Sequence, residues 1–163
     1  MGSETELSFK KHSGIFTLQA EQKLPISIEE AWEFFSSPKN LVKITPEHMG
    51  FKITSGEPSK MYQGQIITYQ IGLLPGVKSG WVTEITHVNE PHLFVDEQRY
   101  GPYSMWHHEH SFEPTEGGVL VKDKVSYKIP FWFLGIIVEK LFIRNQLKNI
   151  FQHRNEVLNQ LFN

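Results

Sequence analysis

The chain has 163 residues, enough for one core that buries about 70% of the unfolded surface. It carries 16 basic against 18 acidic side chains, a net charge of −2, so it lacks the basic excess of a phosphate-backbone reader and no nucleic-acid partner is expected. Cysteine is absent, which excludes disulfides, thiol nucleophiles, iron–sulfur clusters and every Cys-ligated zinc site.

Large rings are plentiful. The 12 Phe, 5 Tyr and 4 Trp either fill an aromatic core or line a cavity. The start, Met1 to Leu7, lacks the basic region and apolar run of a secretory signal, and a cytoplasmic protein is expected. Residues 1–13 read as a loose tail ahead of a single domain over 14–163. From Gly14 to Leu24 apolar Phe16, Leu18 and Ala20 alternate with polar Thr17, Gln19 and Glu21, the pattern of a half-buried strand. Ser27 and Glu30 have capping-box spacing and open a short helix through Trp32, Phe34 and Phe35, whose rings read as core packing. Pro38 starts a second short helix that runs to Ile44.

Six strand-like runs follow, at 50–54, 64–71, 80–88, 92–100, 104–113 and 118–129, separated by Gly- and Pro-rich turns. From Leu134 to Phe162 the period returns to 3.6, predicting one amphipathic helix of about 28 residues and about 42 Å, with its apolar stripe interrupted at Arg144 and Asn145. The most apolar stretch, Ile129 to Ile143, is 15 residues long and falls short of a bilayer span. Residues 131–137 are apolar all round; left exposed, they offer a homodimer interface, a ligand gate or a membrane-surface contact. The predicted class is therefore α+β: a curved antiparallel sheet of about seven strands wrapped on a long C-terminal helix, with two short helices after the first strand. A sheet curved that strongly leaves space against its helix, which implies a cavity.

Three segments carry a family likeness: Leu24 to Phe35 followed by Leu41 to Pro46, Asp96 through Tyr103 to Phe112, and Asp123 to Pro130. Over Gly14 to Phe162 the chain resembles the SRPBCC superfamily, the START-like helix-grip proteins that include hydrophobic-ligand binders, polyketide cyclases and aromatases. The resemblance is strongest to bacterial ligand-binding members. It implies a small hydrophobic or amphipathic ligand held between sheet and terminal helix, and it transfers no reaction, cofactor or catalytic residue.

Period 2 places Trp106, His108, His110 and Phe112 on one face of their strand, and Val119, Val121, Asp123, Val125 and Tyr127 on one face of the next. The three valines mark that face as inward. Phe94, Asp96, Gln98 and Tyr100 align in the same way. The expected ligand-binding walls are Tyr69, Trp81, Tyr100, Trp106, Phe112 and Tyr127, with Asp96, Gln98, His108, His110 and Asp123 as the polar end. Four readings of that polar end stay open: a structural Asp–His network, the orienting pole of a ligand pocket, a His-x-His metal site, or acid/base catalysis by His108, His110 and Asp123. His-x-His is a weak motif, so no metal or cofactor is assigned. Arg154 lies near the apolar stripe of the last helix, its partner unnamed by the sequence. The competing function is a cyclase, dehydratase or hydrolase acting on a polyketide-like substrate through the His–Asp cluster.

Overall fold

The computed structural model describes residues 6–56, 60–74, 77–130 and 137–162. Strands β1 (Glu6–His12) and β2 (Ile15–Leu24) precede helices α1 (Ile28–Phe35) and α2 (Pro38–Lys43) and a 3-10 turn at Glu47–Met49. Then come β3 (Lys52–Ile53), β4 (Ile66–Leu74), β5 (Val77–Asn89), β6 (Leu93–Tyr100), β7 (Met105–Thr115) and β8 (Gly118–Lys128). The chain ends in a π-helical turn at Glu139–Ile143 that continues into α3 (Arg144–Phe162). All strands join one antiparallel eight-stranded sheet in the order β1-β2-β8-β7-β6-β5-β4-β3.

Two sequence expectations change. The sheet has eight strands rather than about seven, because residues 6–12 are not a tail: they pair with β2 from Glu6↔Glu21 to His12↔Ile15. Ser13 and Gly14 make the hairpin turn at φ 51° and 80°, the two successive positive values that a tight primed turn needs. Leu7 and Phe9 alternate along β1 and pack, partly buried, on the core, a pattern of two residues beside mostly exposed neighbours. Lys10 and Lys11 suit an edge strand, where exposed charge discourages further pairing. The terminal helix is also less uniform than its periodicity predicts. Its π turn buries Glu139 at 1% exposure, while Ile137, Val138, Leu141 and Phe142 stay exposed. Of the apolar run expected as an interaction surface, 131–136 lie outside the described residues.

Local chemistry explains the entry to the helices. Ser27 Oγ accepts from the Glu30 amide at 3.2 Å and the Glu30 carboxylate accepts from the Ser27 amide at 2.9 Å, closing the capping box. That bond holds the Glu30 carboxyl below its usual range.

Two apolar clusters make the core. One gathers Trp32, Phe94, Phe112, Val121 and Leu158; the other gathers Phe16, Trp81, Val125, Tyr127 and Phe151. Both draw on β8 and α3, and between their residues the chain places Asp123 on β8 and Arg154 on α3, each buried. On β7, His108 and His110 sit between Trp106 and Phe112 in the same way. A polar layer thus crosses the core on successive elements.

Replacing Ser27 by Ala is expected to cost about 1 kcal/mol, seen as a lower urea midpoint with an unchanged m-value. An unchanged midpoint would mean that α1 is held by packing alone.

Candidate functional site

Strand register builds the polar layer. Asp96 stands opposite His108 in the β6–β7 ladder, and His110 stands opposite Asp123 in the β7–β8 ladder. The closest contacts are the diagonals, within reach of long side chains on one face. His110 Nε2 lies 2.6 Å from Asp96 Oδ2, and His108 Nε2 lies 2.9 Å from Asp123 Oδ1. His110 Nδ1 is 3.1 Å from that same Asp123 oxygen, off the line of a well-formed hydrogen bond. The longest approach is His108 Nδ1 to Asp96 Oδ2, at 3.6 Å.

The two imidazoles pack face to face with centroids 3.7 Å apart, and Phe94 covers the outer face of His110 at 4.1 Å. From α3, Arg154 Nη2 reaches Asp123 Oδ2 at 3.1 Å. Its guanidinium lies 5.0 Å over the Phe35 ring and 5.7 Å over Phe151, which fixes it in place.

Charge balance follows from these distances. Burial pushes the Asp123 carboxyl up, but the Arg154 charge and the contacts of both histidines outweigh it and hold the group well below its usual range. Burial also works against Asp96, which is nevertheless held down by its bond to His110 and the attraction of both rings. Burial pushes His110 down, but it is raised because its contacts with Asp123 and Asp96 outweigh that. His108 is lowered by burial and then by the neighbouring His110, against the pull of the carboxylates. With His110 as the one imidazolium, the two carboxylates and the Arg154 guanidinium balance to zero charge. A neutral His108 that donates from Nε2 to Asp123 has its lone pair on Nδ1, at the 3.6 Å contact with Asp96.

A cavity of about 190 Å³ opens beside this layer, between the concave face of the sheet, the α2 region and α3. Six of the expected residues line it: Tyr69, Trp81, Asp96, Trp106, His108 and His110. Asp96 is sealed among protein groups yet keeps 18% side-chain exposure, because it faces this internal space. Burial and then the Asp96 charge raise the Tyr69 phenol, so it stays a neutral donor.

Five expected residues do not line it. Tyr100 is 69% exposed: the β5–β6 register slips between Val82↔Tyr100 and Thr83↔Gln98, and that bulge turns Tyr100 outward where strict alternation would put it inside. Gln98 instead clamps the next turn, donating to the Tyr103 carbonyl at 2.6 Å and accepting from its amide at 3.2 Å. Phe112 packs on Trp32, Phe35 and Phe94. Tyr127 stacks on Phe16 and donates to Glu139 at 3.0 Å, and Arg144 holds that same carboxylate. Asp123 lies behind the histidines and orients them.

Sequence reading missed Tyr103, Phe94, Thr83, Phe34, Phe35 and Phe151 as lining residues. Alternation along β5 from Trp81 through Thr83 to Ile85 signals the third of these, and Trp81 Nε1 donates to its hydroxyl at 3.0 Å. Tyr103 sits in a loop where no periodicity speaks. Arg154, whose partner the sequence left unnamed, pairs with Asp123.

No protein-family model and no curated protein matches the sequence. Among solved structures, protein Ms6760 from Mycobacterium smegmatis is similar over 96% of this chain and 97% of its own, with TM-score 0.66 and 17% identity. A START superfamily protein from the same organism gives TM-score 0.64 and 16% identity over 89% of this chain and 98% of its own. The chain has the START-like helix-grip fold. Ara h 8.0201 shares that helix-grip backbone at TM-score 0.62 and 14% identity, over 91% of this chain and 97% of its own. At such identities helix-grip likeness speaks to the backbone, and the cavity must be argued from its own side chains. No helix among the described residues is long and apolar enough to cross a membrane.

Two measurements test the charge balance. The raised His110 adds stability that is full below the ordinary imidazole value of 6.5 and lost as pH rises through its folded value. The lowered His108 works the other way, withdrawing stability as pH falls from 6.5. Unfolding free energy is therefore expected to peak near pH 6.5 in denaturant titrations from pH 5 to 9, and a monotonic profile would contradict the assignment. Arg154→Ala leaves the Asp123 charge buried and unpaired, at an expected cost of about 3–5 kcal/mol in the same titrations.

Proposed function

We propose that the protein binds a compact, largely apolar molecule in this cavity and orients it through one polar group at the Asp96–His108 pole. The observation that carries the reading is the combination of aromatic walls with two unused acceptors at one end. His108 Nδ1 makes no hydrogen bond among the described residues, and neither does Asp96 Oδ1. A ligand hydroxyl or N–H satisfies one of them, and an NH2 group satisfies both. Arg154 also lines the cavity but is neutralised by Asp123, so the pole as a whole favours an uncharged donor over a carboxylate.

Size narrows the class. At about 190 Å³ the space exceeds a cavity of ~150 Å³ that holds benzene and falls below the ~300–1,000 Å³ of sites for drug-sized ligands. One or two fused rings, or a short branched chain, match it better than a full-length lipid.

A second reading rests on the same nitrogen. An unprotonated imidazole facing an apolar cavity is a base, and with Asp96 and the His110 imidazolium beside it, it supports proton transfer in a cyclisation or dehydration of a polyketide-like substrate. Asp123 takes no direct part in such a step, because it touches the histidines and not the cavity.

Titration with 1-naphthol, followed by its fluorescence, is expected to show saturable one-to-one binding, with hexadecanoic acid competing poorly. Ile71→Trp projects an indole into the cavity and is expected to abolish binding while the circular dichroism spectrum is retained. Absent saturation, or equal binding by the filled variant, would refute the pocket.

A further inference from the structure

We propose that Asp96, His108 and His110 form a site for one divalent transition-metal ion of the borderline class, with its vacant coordination positions facing the cavity. The nitrogens and the carboxylate oxygen offered by these three residues lie within 4.8 Å of one another. An ion holding each donor at its usual 2.0–2.2 Å in tetrahedral geometry sets neighbouring donors about 3.3–3.6 Å apart. Asp96 Oδ2 lies 3.6 Å from His108 Nδ1, at the upper end of that range, and 2.6 Å from His110 Nε2, where the ion would push the two apart.

The far side of the rings strengthens the case. A metal-bound imidazole needs its second nitrogen to donate to a carboxylate or carbonyl, which fixes the tautomer and aims the lone pair at the ion. Here His108 Nε2 makes that bond to Asp123 Oδ1 at 2.9 Å, and His110 Nδ1 lies 3.1 Å from the same oxygen, off the hydrogen-bond line. The other oxygen of Asp123 is held by Arg154 at 3.1 Å, so the outer carboxylate stays anionic and oriented without adding net charge. Two carboxylates on opposite edges of a stacked imidazole pair, one facing a cavity and one tied to arginine, match an inner ligand and an outer support.

Two imidazoles and one carboxylate suit zinc, iron or cobalt as divalent ions and disfavour magnesium and calcium, which select oxygen. Three protein ligands leave positions open on the cavity side, where a hydroxyl or carbonyl oxygen of the bound molecule reaches the ion as a Lewis acid. Any proton on His110 Nε2 leaves when the ion takes that nitrogen. The site shares its pole with the proposed ligand pocket but does not depend on it, since the ion binds with the cavity otherwise empty.

The test is calorimetric titration of the full chain with Zn(II) alone at pH 7, in two buffers of different ionisation enthalpy. One equivalent at micromolar affinity or tighter is expected, with proton release, and no heat from Mg(II). Asp96→Asn preserves the shape of the pole, removes the anionic ligand and is expected to weaken Zn(II) at least tenfold. His108→Ala abolishes uptake. His107→Ala, on the outer face and bonded to Glu97, leaves it unchanged. Should His108→Ala fail to fold, Asp96→Asn decides. A wild-type protein that takes up no Zn(II), or an Asp96→Asn variant that binds as the wild type does, overturns the site. 1-Naphthol binding measured without metal reports on the pocket separately, so either proposal can fail alone.

Discussion

Arg154 and Asp123 meet 3.1 Å apart in the interior, and the centre of the molecule is organised around that ion pair. An isolated buried carboxylate would protonate or force the core open. With arginine beside it Asp123 keeps its charge, accepts from His108 and stands 3.1 Å from His110, and the two imidazoles in turn set Asp96 at the wall of the cavity. Remove the cation and each later relationship loses its reason: the anionic Asp123, the single imidazolium, the lone pair on His108. Phe35 and Phe151 on either side of the guanidinium are thus structural supports for a charge arrangement made by three other elements.

This layer also explains why the core is split. Apolar side chains above and below it pack conventionally, Trp32 and Phe112 on one side, Trp81 and Tyr127 on the other. Filling the gap between α3 and the sheet would need still larger side chains on the concave face. Polar ones stand there instead, and the space left beside them is lined by rings. The helix-grip backbone tolerates such a gap because strand pairing holds the open sheet together, and that pairing does not require the interior to be filled.

Much of this was legible in the sequence, and the misses have physical causes. The capping box at Ser27 and the alternations on β2, β7 and β8 predicted those elements closely, because local periodicity reports directly on which face meets the core. The inward set of β7 and Asp123 followed from the same rule. Tyr100 failed because a bulge adds a residue and reverses the face, an event that alternation cannot register. β1 was invisible because its apolar trace is only Leu7 and Phe9, too short beside its charged residues to read as a strand. Phe112 and Tyr127 do point inward as read, but an inward ring still has to meet either other rings or space, and that choice is made by α1 and α3, far away in the chain. Arg154 showed the reverse limit: its position was noted, while its partner depended on how α3 lies across β8.

The central claim is a division of protons: His110 doubly protonated, His108 protonated on Nε2 only. Ring nitrogen-15 chemical shifts of the histidines, measured by long-range proton–nitrogen correlation on the metal-free protein at pH 7, report this directly. The account predicts one buried imidazolium, with both nitrogens in the protonated range, and one buried neutral ring whose Nδ1 falls in the lone-pair range. Two imidazolium patterns, or two neutral ones, would contradict it.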